Sequence, residues 1–152
     1  MYEVLNRNSE LENKLDALNL TTVDVLGDGN CFYRAACYKL HGNDAGYAEL
    51  RRQVADYLKQ TGNILGGVIS VSPDDGKTFN EHIQTLLTDG QPVGEDAIIA
   101  LANICDREVH IYLAYSEPLI YSATDGEKSG EPITLAFYEP GHYRPVLHSQ
   151  KN

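Results

Sequence analysis

Residues 27–35 read GDGNCFYRA, a turn with two glycines that runs directly into an apolar, helix-like segment. We predict a helix from Cys31 to Leu40 with Asn30 as its N-cap, because Asn is favoured at that position. Cys31 then lies in the first turn, where the helix dipole stabilises a thiolate. Free amides in a glycine-containing turn can form an oxyanion hole. Taken alone, the motif equally fits an ordinary turn followed by a buried cysteine.

Helices are predicted on both sides of this turn. Ser9 and Glu12 match a capping box that opens a short amphipathic helix, and its leucines at 11, 15 and 18 would cover the core. Beyond the turn, apolar residues recur at helical spacing in residues 47–58, 79–87 and 97–104. The stretch 64–76 shows no clean period and is predicted to be irregular.

Strands are predicted just before the turn and throughout the last third of the chain. Thr21 to Leu26 is β-branched and apolar, with Asp24 in its middle. Strand-length apolar segments follow at 109–115, 119–121, 133–138 and 143–147. Early helices and a late meander of strands describe an α+β fold, with a central, mainly antiparallel sheet flanked by helices.

Composition restricts the possible partners. The 152 residues include 12 Lys and Arg against 22 Asp and Glu, a formal net charge of -10, which argues against binding driven by nucleic-acid phosphates. The sequence shows neither a signal segment nor an apolar run approaching the roughly 18 residues of a membrane span. Three cysteines cannot all pair within one chain and match no zinc motif. We therefore predict a cytoplasmic monomer with reduced thiols, no metal, no cofactor and no membrane partner.

A catalytic cysteine needs a base, and the chain has five histidines. His142 follows the turn at 139–141 and precedes a predicted strand, a sheet edge beside a loop where catalytic groups are often held. His110 lies within a predicted strand, and the others fit helix ends or the surface: His41, His82 and His148. This pattern favours His142 without excluding the rest. Cys37 and Cys105 lie in apolar helical runs, which is typical of buried and inert thiols.

The cysteine motif resembles that of the ovarian tumour (OTU) family of deubiquitinases, whose fold is papain-like. The similarity continues in order along the chain, at residues 41–43, 49–52, 94–112 and 141–143. The similarity covers most of the chain from Val23 to Leu147, so only the first twenty or so residues lie outside it. We therefore predict an N-terminal capping helix at residues 1–20 and an OTU-like catalytic domain at residues 21–152, within a single domain overall.

The resemblance implies a nucleophile, Cys31, and a general base, His142. Together they would hydrolyse the isopeptide bond at the C-terminus of ubiquitin through a thioester acyl-enzyme. Ubiquitin or polyubiquitin is then the expected partner. Its basic C-terminal tail fits a cleft with acidic walls, with which the acidic excess of the chain is consistent.

The resemblance also implies how substrate is held. The turn Asp28-Gly29-Asn30 would form the oxyanion hole, chiefly through the amides of Asp28 and of the cysteine. Gly141 and Tyr143, which flank the histidine, would contact the substrate.

The chain departs from the family at Arg144, where many members carry Asp or Asn two residues after the histidine. A guanidinium only donates hydrogen bonds, so it cannot accept one from the imidazole. We predict that Asp24 is the third catalytic residue, because some bacterial relatives place an acid seven residues before the cysteine. Alternation along the strand would point Asp24 away from Val23 and Val25. Asp24 is alternatively an ordinary solvent-facing strand residue.

Arg144 also leaves other functions open. One alternative is a ubiquitin-binding module that keeps the fold but is catalytically weak or inactive. Another is a protease for a ubiquitin-like modifier or a viral polyprotein. The small size and the placement of Asp24 favour a bacterial effector that acts in the cytosol of a host cell.

Overall fold

The computed structural model describes residues 2–65, 95–123, 130–139 and 141–149. These residues form four helices, α1 (Tyr2–Ala17), α2 (Cys31–His41), α3 (Tyr47–Leu65) and α4 (Glu95–Cys105). They also form five strands, β1 (Leu20–Thr22), β2 (Val109–Tyr112), β3 (Leu119–Tyr121), β4 (Ile133–Tyr138) and β5 (His142–His148). The helix predicted at 79–87 and most of the irregular stretch predicted at 64–76 lie outside the described residues.

The five strands form one sheet in the order β1-β5-β4-β2-β3. Three of the four pairings are antiparallel, which confirms the mainly antiparallel sheet, but β2 and β4 are parallel. The predicted late meander is therefore wrong, because β4 pairs with β2 and not with its sequence neighbour β3. Burial explains the order: β2 is a core strand, whereas Leu119 and Ile120 of β3 are 44% and 59% exposed and fit a sheet edge.

The sheet lies between two helical layers, as alternation along β4 shows. Ile133 and Leu135 point into a buried cluster that contains residues of α2, α3 and α4. Ala136 and Tyr138 point the opposite way, into a second cluster with Leu11 and Leu15 of α1, among others. This arrangement confirms the α+β fold with helices on both faces.

Helix α1 begins earlier than the sequence predicts. It starts at Tyr2, so Ser9 lies in mid-helix and the proposed capping box is wrong. Serine is tolerated there because its side chain points to solvent. Leu11 and Leu15 are buried as expected, but Leu18 lies beyond the end of the helix and is 55% exposed. The separation of residues 1–20 from 21–152 stays a prediction.

Strand β1 is shorter than predicted, and Asp24 lies beyond its end. The ladder with β5 closes with Thr22 opposite Val146 and a last bond from the Val23 amide to the Pro145 carbonyl, 3.2 Å long. Proline has no N–H to return a bond, so the pairing stops there. Residues 23–27 then run without regular structure, and the alternation argument for Asp24 does not apply.

Candidate active site

Cys31 is the first residue of α2, and the backbone on either side of His142 holds its sulfur. Sγ donates to the carbonyl of Gly141 at 3.6 Å and accepts from the amide of Tyr143 at 3.5 Å. The cysteine is 6% exposed. The predicted nucleophile and the predicted base therefore lie at one place, although more than a hundred residues separate them in sequence.

His142 opens strand β5, and its imidazole contacts Asp24. Nε2 lies 3.1 Å from Oδ1 of the carboxylate. Because a carboxylate only accepts hydrogen bonds, Nε2 carries the proton and Nδ1 of the neutral ring is left as an acceptor. A Cβ at Gly27 would lie 3.6 Å from Nδ1, so the backbone of the glycine turn passes close to that side of the ring.

Asp24 makes a second contact that the sequence did not predict. Nε of Arg144 lies 3.2 Å from the same oxygen, Oδ1, as an ion pair whose N–H is not aligned for a hydrogen bond. The residue that departs from the family pattern thus contacts the acid instead of the imidazole. A signal existed, because His142 and Arg144 are two residues apart on one strand and share a face.

The turn before the cysteine is fixed by the carboxylate of Asp28. Oδ1 accepts from the amide of Asn30 at 3.0 Å, and Oδ2 accepts from Nη2 of Arg34 at 2.8 Å. The guanidinium of Arg34 also stacks on the ring of Tyr47, 3.9 Å from its centroid. The hydrogen bond from Arg34 is the main reason why the pKa of Asp28 is lowered to about 2. Gly29 takes φ 85°, a value that favours glycine.

Asn30 precedes α2, but its side chain does not cap the helix. It is 1% exposed, and its Oδ1 accepts a hydrogen bond from the buried Arg51 at 3.0 Å. The amide of Asn30 is engaged by Asp28, so it is not free for a substrate oxyanion. Within the described residues, the amides of Asp28, Gly29 and Cys31 have no protein acceptor, which narrows the candidate oxyanion hole to them.

Gly141 and Tyr143 differ in what they present to the groove. Gly141 is exposed, with φ 118° and open space where a Cβ would stand. The ring of Tyr143 packs edge-on against Phe32 and Phe137, with centroids 5.3 and 5.1 Å away. Burial raises the pKa of Tyr143 to about 12. Substrate contact by either residue stays a prediction.

The other cysteines and the other described histidines lie away from this site, and His82 lies outside the described residues. His110 pairs with Glu108 at 3.0 Å. Cys37, which is 1% exposed, and Cys105 line a cavity of about 430 Å³ together with His41. None of the three cysteines forms a disulfide. Among the residues that the structure describes, no cluster could hold a metal ion and no helix is long and apolar enough to cross a membrane.

Known proteins share this fold and sequence pattern. The sequence model described as OTU-like cysteine protease matches residues 26–148. OVARIAN TUMOR DOMAIN-containing deubiquitinating enzyme 7 of Arabidopsis thaliana is 26% identical over 138 residues, which is 91% of this chain. The chain spans 36% of the length of that relative.

Solved structures share the fold as well. The OTU domain of OTUD1 superimposes with a TM-score of 0.79 at 21% identity, over 95% of this chain and 96% of that one. An OTU deubiquitinase from Wolbachia pipientis wMel, bound to ubiquitin, superimposes with a TM-score of 0.61 at 15% identity, over 88% of this chain and 99% of that one. The family match covers the cysteine turn and the histidine strand that the fold brings together. The chain therefore belongs to the family of OTU-like cysteine proteases.

Proposed function

We propose that this chain is a thiol-dependent deubiquitinase, which hydrolyses the isopeptide bond at the C-terminus of ubiquitin. One observation carries the proposal: Sγ of Cys31 lies between the backbone groups that flank His142, whose ring contacts Asp24. The name of the Arabidopsis relative and the ubiquitin complex of the Wolbachia enzyme support the choice of substrate.

The first chemical step is proton transfer from Cys31 to Nδ1 of His142, followed by attack of the thiolate on the isopeptide carbonyl. The Tyr143 amide already donates to Sγ, and this contact strengthens as negative charge develops. The Gly141 carbonyl accepts from the thiol and favours the protonated form, so it must release the S–H as the proton moves to the imidazole. Asp24 keeps Nε2 protonated and stabilises the imidazolium that forms.

The oxyanion that forms at the carbonyl carbon needs hydrogen-bond donors fixed in advance. The amides of Asp28 and Cys31 are the proposed donors, with Gly29 beside them and the positive end of α2 behind them. The imidazolium then returns its proton to the departing lysine amine, which leaves a thioester on Cys31. Water, deprotonated by His142, hydrolyses the thioester and regenerates the thiol.

A panel of ubiquitin dimers, one for each linkage, tests the proposed activity. The protein should cleave at least one linkage, and Cys31→Ala should cleave none while its unfolding transition stays unchanged. Cys105→Ser is the matched thiol control and should keep full activity, since Cys105 lies in the cavity behind α2. Failure to cleave any dimer would remove the proposal, and binding without cleavage would favour the alternative of an inactive ubiquitin-binding module. Cleavage of a ubiquitin-like modifier alone would change the substrate and keep the chemistry.

We also propose that the chain is a monomer in the cytoplasm. The absence of a disulfide among the three cysteines supports a reducing compartment, because a thiol nucleophile must stay reduced to act. Light scattering of the purified chain at micromolar concentration should give the mass of one copy, and the mass of two copies would contradict this part.

A further inference from the structure

We propose that Arg144 is a positioning residue that holds the carboxylate of Asp24 against His142, and that helix α1 in turn seats Arg144 through Glu12. This inference rests on the proposed function, because it assigns a role within that active site. It also explains the departure from the family pattern at position 144. The acceptor for the His142 imidazole comes from Asp24, and Arg144, at the position where many relatives supply that acceptor, holds Asp24 in place.

Asp24 needs such support because, in the part of the chain that the structure describes, His142 is the one other residue that holds its side chain. The β1 ladder ends before it, and its side chain is 71% exposed. A solvated carboxylate on an irregular segment has several rotamers open to it, and one hydrogen bond from His142 selects among them only weakly. The charge of Arg144 adds a second attraction, since Nε2 of His142 and Nε of Arg144 lie 3.1 and 3.2 Å from the same oxygen, the first as a hydrogen bond and the second as an ion pair.

Arg144 is itself held on several sides. Its guanidinium carbon lies 4.4 Å from the centroid of the Tyr138 ring, and its Nη1 lies 3.7 Å from Oε1 of Glu12. Glu12 is fixed in turn, because the Tyr138 hydroxyl donates to the same Oε1 at 2.7 Å. The hydroxyl also lies 3.1 Å from Oγ1 of Thr22, the last residue of β1. A planar group stacked on an aromatic ring is well suited to a fixed position.

A positive charge beside the imidazole also has a cost, and this makes the proposal testable. Arg144 draws on the same carboxylate that stabilises the imidazolium, so a purely electrostatic effect would slow the reaction and its removal would speed it. A positioning role predicts the opposite: removal of Arg144 should slow the reaction. Turnover of the Arg144→Gln variant therefore distinguishes the two effects.

The test is a double-mutant cycle on a ubiquitin conjugate with a fluorogenic C-terminal leaving group. Arg144→Gln should lower kcat by about tenfold to a hundredfold with KM within about twofold, because misplaced catalytic groups slow chemistry more than binding. In the Asp24→Ala background the same change should have no further effect. Arg144→Lys, which keeps the charge but not the planar group, should recover part of the loss.

Matched controls separate positioning from folding and from general charge effects. Arg52→Gln removes an arginine that pairs with Glu49 and Asp56 on the surface of α3, and it should leave kcat unchanged. On α1, Glu12→Gln should lower kcat by less than Arg144→Gln does. Glu10→Gln, an exposed neighbour on the same helix, should not lower kcat.

A second readout does not depend on turnover. In the proton NMR spectrum, the Nε2–H signal of His142 should be protected from solvent exchange in the parent chain. It should broaden in Arg144→Gln and vanish in Asp24→Ala. Protection that is unchanged in Arg144→Gln, a loss of kcat that persists without Asp24, or a faster Arg144→Gln enzyme would each overturn the inference. A parent chain with this protected proton but no turnover would instead remove the proposed function and keep the positioning role.

Discussion

Two carboxylate–arginine pairs stand on either side of the cysteine turn, and they are built in different ways. Asp28 and Arg34 are six residues apart, with side chains 28% and 14% exposed. Asp24 and Arg144 are 120 residues apart, with side chains 71% and 28% exposed. The first pair is local and well shielded, whereas the second forms only when β5 lies beside the segment that follows β1.

The difference separates the two parts of the active site. The turn proposed to hold the oxyanion is fixed by the contacts of Asp28 with Asn30 and Arg34, so a change that alters its geometry should also alter stability. Asp24, the acid proposed to orient the imidazole, meets His142 and Arg144 only through the tertiary structure and lies largely in water, where ion pairs contribute little to stability. Substitutions at Asp28 should therefore change both stability and rate, and substitutions at Asp24 should change rate alone.

Of the substitutions that break one of the two pairs, Asp28→Ala should have the largest effect on turnover. The change removes the acceptor for the Asn30 amide and for Arg34, which releases the turn that carries the proposed oxyanion-hole amides. We expect turnover to fall by about a hundredfold to a thousandfold. The free energy of unfolding, measured in urea, should fall by about 1–2 kcal/mol.

Asp44→Ala is the matched control for this change. Asp44 lies 3.5 Å from the same arginine, and its side chain is 39% exposed. It should alter the free energy of unfolding by less than about 0.5 kcal/mol. Equal effects at the two aspartates would contradict the special role of the turn.

Asp24→Ala should come next in effect and should separate rate from stability. We expect kcat to fall by about tenfold to a hundredfold, since the imidazole loses the group that orients it. The free energy of unfolding should change by less than about 0.5 kcal/mol, as for other exposed side chains. Asp24→Asn keeps an acceptor and should recover part of the rate. A full-speed Asp24→Ala enzyme would show that this acid has no catalytic part.

The pH dependence of stability should reveal the shielded pair. The pKa of Asp28 is lowered from 3.8 to about 2 in the folded chain, so its carboxylate stabilises the fold fully above pH 3.8. This contribution is lost as the pH falls through about 2. The difference in unfolding free energy between the parent chain and Asp28→Asn should therefore narrow over that interval. A difference that stays constant down to pH 2 would mean that the pair does not form.

The smallest effect on turnover is expected for Tyr138→Phe. Burial raises the pKa of Tyr138 to about 12, so its hydroxyl remains a neutral donor to Glu12 near pH 7. Removing the hydroxyl should cost about 0.5–1.5 kcal/mol of unfolding free energy, the usual worth of one hydrogen bond. It should lower kcat by no more than about twofold, because the ring under Arg144 remains. A loss of rate as large as that of Asp24→Ala would place the hydroxyl closer to the chemistry than the structure does.

The same contrast explains how much could be predicted from the sequence. The helix that begins at Cys31 was predicted correctly because its apolar spacing is a local signal, although the side chain of Asn30 does not cap it. His142 and Asp24 lie in contact, and the catalytic role of Asp24 stays a prediction. The strand assumed for Asp24 was wrong, because it ends where Pro145, far along the chain, offers no N–H.

Other errors share this origin in distant partners. The start of α1, the parallel pairing of β2 with β4 and the contact of Arg144 with Asp24 all depend on what packs against each segment. Local propensity and periodicity carry no information about such partners. Strand alternation from His142 to Arg144 was the one available hint, and it required the strand to begin at the histidine itself.

Covalent capture tests the central claim most directly, namely that Cys31 is the nucleophile of a ubiquitin-directed active site. The chain is incubated with ubiquitin that carries a C-terminal electrophile, and the product is weighed intact and mapped by peptide mass spectrometry. We predict a single ubiquitin adduct on Cys31, formed more slowly by Asp24→Ala and absent from Cys31→Ala. No adduct, or an adduct on Cys37 or Cys105, would contradict the account.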